Sequence, residues 1–112
     1  MEIKTGEYRI WSEESTIHFE GTMRLSGMEA YEPILKLMDE VLDQSPDQIN
    51  LNLLELEFLN SSGINLLARF VIKVRKLGST KISVKGSKRI PWQSKSLPNL
   101  NRLHPDLTLS VV

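Results

Sequence analysis

The chain contains no cysteine, only two histidines and few aromatic residues, and its apolar runs are short. Without cysteine, disulfide bonds, thiolate nucleophiles and thiolate metal ligands are excluded, and the absence fits the cytoplasmic location that we expect. No segment approaches the roughly 18 consecutive apolar residues of a membrane-spanning helix. Residues 1–7 are acidic and lack the apolar core of a secretory signal. We therefore expect no integral membrane segment.

The size and composition are those of one small globular unit. A length of 112 residues fits one domain, so we expect residues 1–112 to form a single domain with one core. Apolar residues make up 40% of the chain and charged residues 25%, which is ordinary for a globular protein.

The charges are divided unevenly along the chain although the net charge is zero. Residues 1–60 contain 13 acidic and 4 basic residues, whereas the remainder contains 10 basic residues and a single acid, Asp106. The simplest interpretation is that the two halves interleave in the fold and neutralise each other, although such asymmetry also marks contact faces. The basic stretch of residues 85–95 has one aromatic residue, Trp92. Nucleic-acid binders usually carry more aromatic residues between their basic residues. We therefore expect no nucleic-acid partner.

Alternating and helical periodicities predict an α/β fold. Strands are predicted at residues 8–11, 16–23, 49–58, 81–85 and 107–112, and helices at residues 30–42, 63–77 and, irregularly, 91–103. The resulting order, β-β-α-β-α-β-α-β, indicates a central mixed sheet with helices packed on it. An antiparallel hairpin begins this sheet, and parallel neighbours with right-handed crossovers follow.

Several details of the pattern make sharper predictions. The alternation of the strand at residues 49–58 changes phase between Leu53 and Leu54, which indicates a bulge or a strand covered on both faces. Pro33 fits the first helix only if it falls in the first turn. The apolar arc of the second helix includes Leu77, and Ile72 is the one large apolar residue on its polar side.

Residues that carry catalysis or bind metals are scarce. The two histidines, His18 and His104, lie on different predicted elements without other ligands nearby, so we expect no metal site. The chain has neither the Gly-x-Ser-x-Gly turn of serine hydrolases nor a glycine-rich phosphate loop. We therefore expect no cofactor and no enzymatic activity.

The segment Asn60-Ser61-Ser62-Gly63 separates the long apolar strand from the second helix. Ser62 is the predicted N-cap of this helix, because its hydroxyl can accept from a backbone N–H one turn later. A helix N-terminus also favours anions, so a phosphate on Ser61 or Ser62 would be held there and would add nearly two negative charges. The residues alone do not separate a cap from a switch.

Residues 51–64, with the sequence LNLLELEFLNSSGI, resemble a stretch shared by STAS domains, which occur in sulfate transporters and anti-sigma factor antagonists. Family members carry Leu-Asp-Leu-Ser-Gly-x-x-Phe-Ile-Asp-Ser-Ser-Gly-Leu there, followed by an amphipathic helix. The basic helix end at residues 73–78 and the element order over residues 8–90 are also similar to the family.

The resemblance implies a bacterial, non-catalytic module for partner switching. Such a module binds a serine kinase of the anti-sigma type, and phosphorylation of the serine before the glycine, here Ser62, breaks the complex. A serine phosphatase restores it, and Ser61 is the alternative acceptor. The expected docking face surrounds this segment and the outer side of the second helix. It comprises Arg24, Asn60, Ser61, Asn65, Arg69, Ile72, Lys73 and Lys76, and Ile72 is expected to be an exposed apolar anchor among cations.

Three positions depart from the family pattern and leave alternatives open. Arg24, Asn52 and Asn60 stand where the family carries aspartate. One alternative is therefore a constitutive STAS scaffold that is no longer phosphorylated. Another is an accessory subunit for a small ligand or for lipid transport, as some relatives are. Homodimerisation also remains open.

Overall fold

A computed structural model describes all 112 residues and contains one six-stranded sheet with helices packed against it. The strands are β1 (Glu2–Lys4), β2 (Tyr8–Glu13), β3 (Thr16–Met23), β4 (Gln48–Leu59), β5 (Lys81–Gly86) and β6 (Thr108–Val111). The helices are α1 (Gly27–Asp43), α2 (Ser61–Leu77), α3 (Pro91–Ser96) and α4 (Leu100–Leu103), with a 3-10 turn at Leu97–Asn99 between the last two.

The strands lie in the sheet in chain order. The β1–β2 and β2–β3 pairs are antiparallel, and β3 to β6 are parallel neighbours. The predicted order is confirmed, and β1 is an additional strand that the sequence pattern missed. A strand of three residues is too short to show alternation, and it forms only because Ile3 pairs with Ile10 of β2.

The core lies on one face of the sheet. Ile17, Leu51 and Val84 point to this face and are at most 1% exposed. α1 packs against α2 above them, and α2 also contacts β4 and β5. The residues that alternate with the buried ones, such as His18 and Asn52, are partly exposed, so the opposite face is not covered by helices.

β4 contains a bulge, which is one of the two explanations that the phase change left open. The pairing with β3 is Asn52 with His18 and then Glu55 with Glu20, so β4 contains one extra residue in that interval. The freed N–H of Leu54 donates to Asn52 Oδ1 at 3.1 Å. A second irregularity follows closer to the end of the strand, and the two shifts move the buried positions from Leu53 to Leu56 and then Leu59.

The last part of β4 extends past β5, and α3 completes its hydrogen bonds. The side chain of Gln93 is fully buried, and its Nε2 donates to the carbonyls of Leu53 at 2.7 Å and of Leu56 at 3.1 Å. Its Oε1 accepts from the Ser87 N–H at 2.7 Å. A Cβ on Gly86 would lie 2.5 Å from Gln93 Oε1, so only glycine allows this approach.

Pro33 lies further inside α1 than we expected. The helix begins at Gly27, so Pro33 falls in its second turn and removes the hydrogen bond to the carbonyl of Glu29. Both residues are exposed, so water can satisfy that carbonyl. The prediction that Pro33 requires the first turn is therefore wrong.

The acidic first part and the basic second part of the chain interleave, as predicted. Lys73 pairs with Asp39 across α2 and α1 at 2.9 Å, and Arg89 lies 3.9 Å from Glu55 and 3.6 Å from Glu57. No helix is both long enough and apolar enough to cross a membrane.

Candidate functional site

The N-cap of α2 is Asn60, which corrects the prediction of Ser62. Asn60 has extended backbone angles, and its Oδ1 accepts from the Gly63 N–H at 3.0 Å. α2 begins at Ser61, so Ser62 is already the second helical residue. Asparagine is among the best N-cap residues because its short side chain reaches the N–H of the third helical residue.

Asn60 also joins α2 to the end of β3 and to α1. Its Nδ2 donates to the carbonyl of Leu25 at 2.8 Å, and its backbone N–H donates to the carbonyl of Met23 at 3.3 Å. The hydroxyl of Tyr31 donates to the same Oδ1 at 2.7 Å. One side chain therefore holds three segments together at this edge of the sheet.

The two asparagines that replace family aspartates both use their amide groups. Asn60 Nδ2 donates to a carbonyl, and Asn52 Nδ2 lies 3.0 Å from Nδ1 of His18. An ionised aspartate has no N–H, so it could not donate to the carbonyl of Leu25, whereas beside His18 it could accept from Nδ1–H in the other tautomer. The departure from the family pattern at Asn60 thus has a structural reason in this chain.

Tyr31 is fully buried, and its burial raises the pKa of the phenol above the ordinary value of about 10. A smaller opposing effect comes from the backbone of Leu25. Because the pKa is higher in the folded than in the unfolded chain, the stability that Tyr31 contributes is complete below pH ~10 and is lost above it.

We expect Tyr31→Phe to lower the free energy of unfolding by about 1 kcal/mol at neutral pH, because Asn60 loses one donor but keeps the Gly63 N–H. The variant should also lose less stability than the wild type as the pH rises above about 10. Urea unfolding followed by circular dichroism at several pH values measures both effects. Equal pH profiles of the two proteins would contradict the buried position of the phenol.

Gly63 allows α2 to start close to the core. A Cβ at this position would overlap the side chain of Leu59 and would lie 2.9 Å from the hydroxyl of Tyr31. The packing of this edge therefore requires a residue without a side chain at position 63, in addition to the place of Gly63 in the Ser-Ser-Gly motif.

The hydroxyls of both candidate acceptors are free. Ser61 is exposed and Ser62 is half-buried, and neither side chain makes a hydrogen bond to another protein group. The backbone N–H groups of these first two helical residues also have no helical partner, as at any helix N-terminus. Each hydroxyl is therefore at the positive end of the α2 dipole without serving as the cap.

Arg24 lies at the same edge, immediately beyond β3. It sits between Met23 and Leu25, which both accept hydrogen bonds from Asn60. Its guanidinium lies 5.7 Å from the ring centre of Phe58, which is 44% exposed. The structure thus brings Arg24 to the start of α2 as predicted, and it adds Phe58, an exposed aromatic residue that sequence reasoning assigned to the core-forming strand.

The remaining predicted residues follow one side of α2. Asn65, Arg69 and Lys76 are exposed and, at 100° per residue, lie in line with Ser62. Lys73 is on the same line but already pairs with Asp39 of α1.

Two residues at the other end of α2 differ from expectation. Ile72 is half-buried, beside Leu103 of α4, so it is less exposed than predicted. Leu77, which was placed in the apolar arc, is 57% exposed. It is the last helical residue before Gly78, where the left-handed C-cap ends the helix.

Tyr31 and Leu25 were missed by sequence reasoning. Tyr31 is simply one apolar position of α1, and its partner is 29 residues away along the chain. The contact of Leu25 with Asn60 is through its backbone carbonyl, for which a sequence carries no signal. No group of three or more histidine, aspartate or glutamate side chains is placed to hold a metal ion.

The sheet order, the two-residue hairpin before the parallel strands and the serine-containing strand-to-helix junction define a STAS-like α/β arrangement. No protein-family model matches the chain, and no curated protein matches it. Solved structures do match by fold. An anti-sigma factor antagonist from Mycobacterium paratuberculosis has a TM-score of 0.62 at 21% identity, covering 90% of this chain and 83% of that chain.

Two structures from Pseudomonas aeruginosa are also similar. A chain in the complex of the diguanylate cyclase SiaD with its activator SiaC has a TM-score of 0.73 at 14% identity, covering 99% of this chain and 97% of that chain. SiaC itself has a TM-score of 0.67 at 13% identity, covering 100% of this chain and 94% of that chain. At these identities the likeness shows the fold, and the predicted STAS-like fold is confirmed.

Proposed function

We propose that this chain is a regulatory protein-interaction module whose binding is switched by phosphorylation of Ser62. A protein partner docks on the edge formed by Arg24, Asn60 and Ser61 and on the outer side of α2. A serine kinase of the anti-sigma type phosphorylates Ser62 and ends the interaction, and a serine phosphatase restores it. The observation that carries this proposal is the cap: because Asn60 caps α2, the hydroxyl of Ser62 is free for modification.

The electrostatics of α2 support a switch. A phosphate would add nearly two negative charges at the start of the helix, in line with the cations Arg69 and Lys76. A partner attracted by these cations is acidic, so the phosphate would repel it and would also have to be desolvated within the interface. Ser61 remains the alternative acceptor because it is the more exposed of the two residues.

The similar structures support a protein partner. One is an anti-sigma factor antagonist, and another is SiaC, the activator of a diguanylate cyclase. Each of these proteins acts on another protein. A non-catalytic role for this chain agrees with these two similar proteins. Its proposed partners include signalling enzymes in addition to anti-sigma kinases.

A constitutive scaffold is the second candidate, and the amide of Asn60 favours it. The family aspartate at this position is replaced by a residue that this fold uses to donate to Leu25. If the kinase recognises the carboxylate of the family aspartate, it would not phosphorylate this chain. The chain would then bind its partner without being switched.

Incubation with ATP and a serine kinase encoded beside its gene, followed by intact mass measurement, tests the switch. We expect one added phosphate on the wild type and on Ser61→Ala, none on Ser62→Ala, and its removal by the neighbouring phosphatase. Phosphate on Ser62→Ala but not on Ser61→Ala would move the site to Ser61. An unmodified wild-type protein would contradict the switch and favour the constitutive scaffold. Native mass spectrometry of the same sample tests the small-ligand alternative, which requires a retained ligand.

A further inference from the structure

A basic groove lies on the outer side of α2 and continues to α4. Two shallow depressions meet at Ile72, one on the side of Leu77 and one on the side of Leu103. We define the basic groove by the residues that carry the argument below. They are Arg69, Ile72, Lys76, Leu77, Arg102 and Leu103.

The cations of the basic groove have no partners within the protein. Arg69, Lys76 and Arg102 are exposed, and no carboxylate lies within ion-pair distance of any of them. Their neighbours differ: Lys73 pairs with Asp39 at 2.9 Å, and Arg75 donates to the carbonyl of Leu103 at 2.9 Å. No aspartate or glutamate lines either depression. Three unmatched positive charges therefore surround the groove.

Three apolar side chains line the groove. Ile72 and Leu103 are half-buried, and Leu77 is 57% exposed at one end. Around α2, Arg69 and Lys76 lie between Ile72 and Leu77, so apolar and cationic side chains alternate across the groove, which is unlike an ordinary solvated helix face. The length of the groove follows the last two turns of α2, which matches a helix laid beside it.

We propose that the basic groove binds an acidic amphipathic helix of the protein partner. Such a helix would place apolar side chains, spaced at i, i+3, i+4 and i+7, against Ile72, Leu77 and Leu103. Its flanking glutamates and aspartates would pair with the three unmatched cations, which would speed association and fix the orientation. This inference rests on the proposed function, because it names the element of the partner that the switch releases.

Other anionic occupants fit the groove less well. A membrane surface is flat and takes up protruding apolar side chains, whereas Ile72 and Leu103 lie recessed between charged neighbours. Single-stranded nucleic acid stacks its bases on aromatic side chains, and no tryptophan, tyrosine or phenylalanine lines either depression.

The position of Ser62 agrees with this occupant. Ser62 lies on the same side of α2 as Arg69, about 10 Å away along the helix axis at 1.5 Å per residue. A phosphate there lies slightly further from the end of the groove than the Debye length of about 8 Å at physiological salt, so its charge is screened only in part. The phosphate would repel the acidic helix, so phosphorylation would release the partner.

Designed peptides test the proposal directly. The first probe is a helical peptide with leucines at i, i+3, i+4 and i+7 and glutamates elsewhere, and the second has the same composition in scrambled order. We expect the patterned peptide to bind at least about tenfold more tightly by fluorescence anisotropy at physiological salt, because only it presents an apolar stripe. Amide shifts in NMR should map to α2 and α4.

Three variants locate the binding. Arg102→Glu and Leu77→Ser should each weaken the patterned peptide by about tenfold, whereas Lys95→Glu, which reverses an exposed charge on α3, should leave it unchanged. Leu77→Ser removes an exposed side chain, so its fold should be intact. Equal affinity for the two peptides, or an equal loss in Lys95→Glu, would overturn the proposal. Binding to phosphatidylserine vesicles or to DNA in place of the patterned peptide would also overturn it.

The outcome separates this inference from the proposed function. If Ser62 accepts a phosphate and a partner is released, but neither groove variant affects that partner, only the helix-binding groove is wrong. If the patterned peptide binds as expected and Ser62 is never phosphorylated, the groove stands and the switch is wrong.

Discussion

Asn60→Ala is expected to lower the free energy of unfolding by about 2–4 kcal/mol. The substitution removes the N-cap of α2, and loss of a cap costs about 1 kcal/mol. It also leaves the carbonyl of Leu25 without the Asn60 donor, and an unsatisfied buried group costs about 1–3 kcal/mol. The buried hydroxyl of Tyr31 loses its shorter hydrogen bond and keeps only the one to the carbonyl of Met23 at 3.3 Å. Chemical denaturation measures the loss, and hydrogen exchange should become faster in the loop before α1.

The matched control for this prediction is Asn65→Ala. Asn65 is an exposed asparagine on the same helix and makes no hydrogen bond through its side chain, so its replacement should change stability by less than about 0.5 kcal/mol. Asn60→Asp should fall between the two variants, because it keeps both acceptor roles of Oδ1 and loses only the donor to Leu25. If Asn60→Ala were as stable as Asn65→Ala, Asn60 would not hold the three segments together.

Gln93→Met is expected to cost about 3–4 kcal/mol and to lower the melting temperature by about 15 °C or more. Methionine preserves the length of the side chain, so the loss reports the hydrogen bonds and not the volume. The Leu53 carbonyl and the Ser87 N–H lose their side-chain partner, while the Leu56 carbonyl keeps Trp92 Nε1 at 3.1 Å.

Lys95→Met is the control for Gln93→Met, since Lys95 is exposed on the same short helix. It should unfold at nearly the wild-type temperature. Thermal unfolding by differential scanning calorimetry compares the three proteins. A melting temperature of Gln93→Met within about 3 °C of the control would mean that water replaces the three hydrogen bonds of this buried amide.

These two amides position the candidate site from different directions. Gln93 satisfies the bulged end of β4, and β4 leads directly into Asn60 and the start of α2. Asn60 then ties that start to Leu25 and Tyr31. Ser61 and Ser62 thus lie on an edge that hydrogen bonds of Gln93 and Asn60 stabilise from two sides. No hydrogen bond fixes the side chains of the two serines themselves.

The sequence predicted the α/β order, the change of phase at Leu53 and Leu54 and the place of the serines between strand and helix. It did so because periodicity and glycine placement are local properties that each segment carries alone. The same local reasoning chose the wrong N-cap: both Asn60 and Ser62 have suitable side chains, and the choice depends on where the helix starts. The start is decided by Tyr31 and Leu25, which lie far away in the chain.

The sequence by itself determined the fold class, the uneven division of charge along the chain and the place of two serines at a helix start, since these follow from composition and spacing. Only the tertiary structure decided that Asn60 is the cap, that Gln93 completes β4 and that Arg69, Lys76 and Arg102 border one groove. The physical reason is that these arrangements join residues of different elements through single hydrogen bonds or shared surfaces. Such contacts have no periodicity, so no local pattern of residues predicts them.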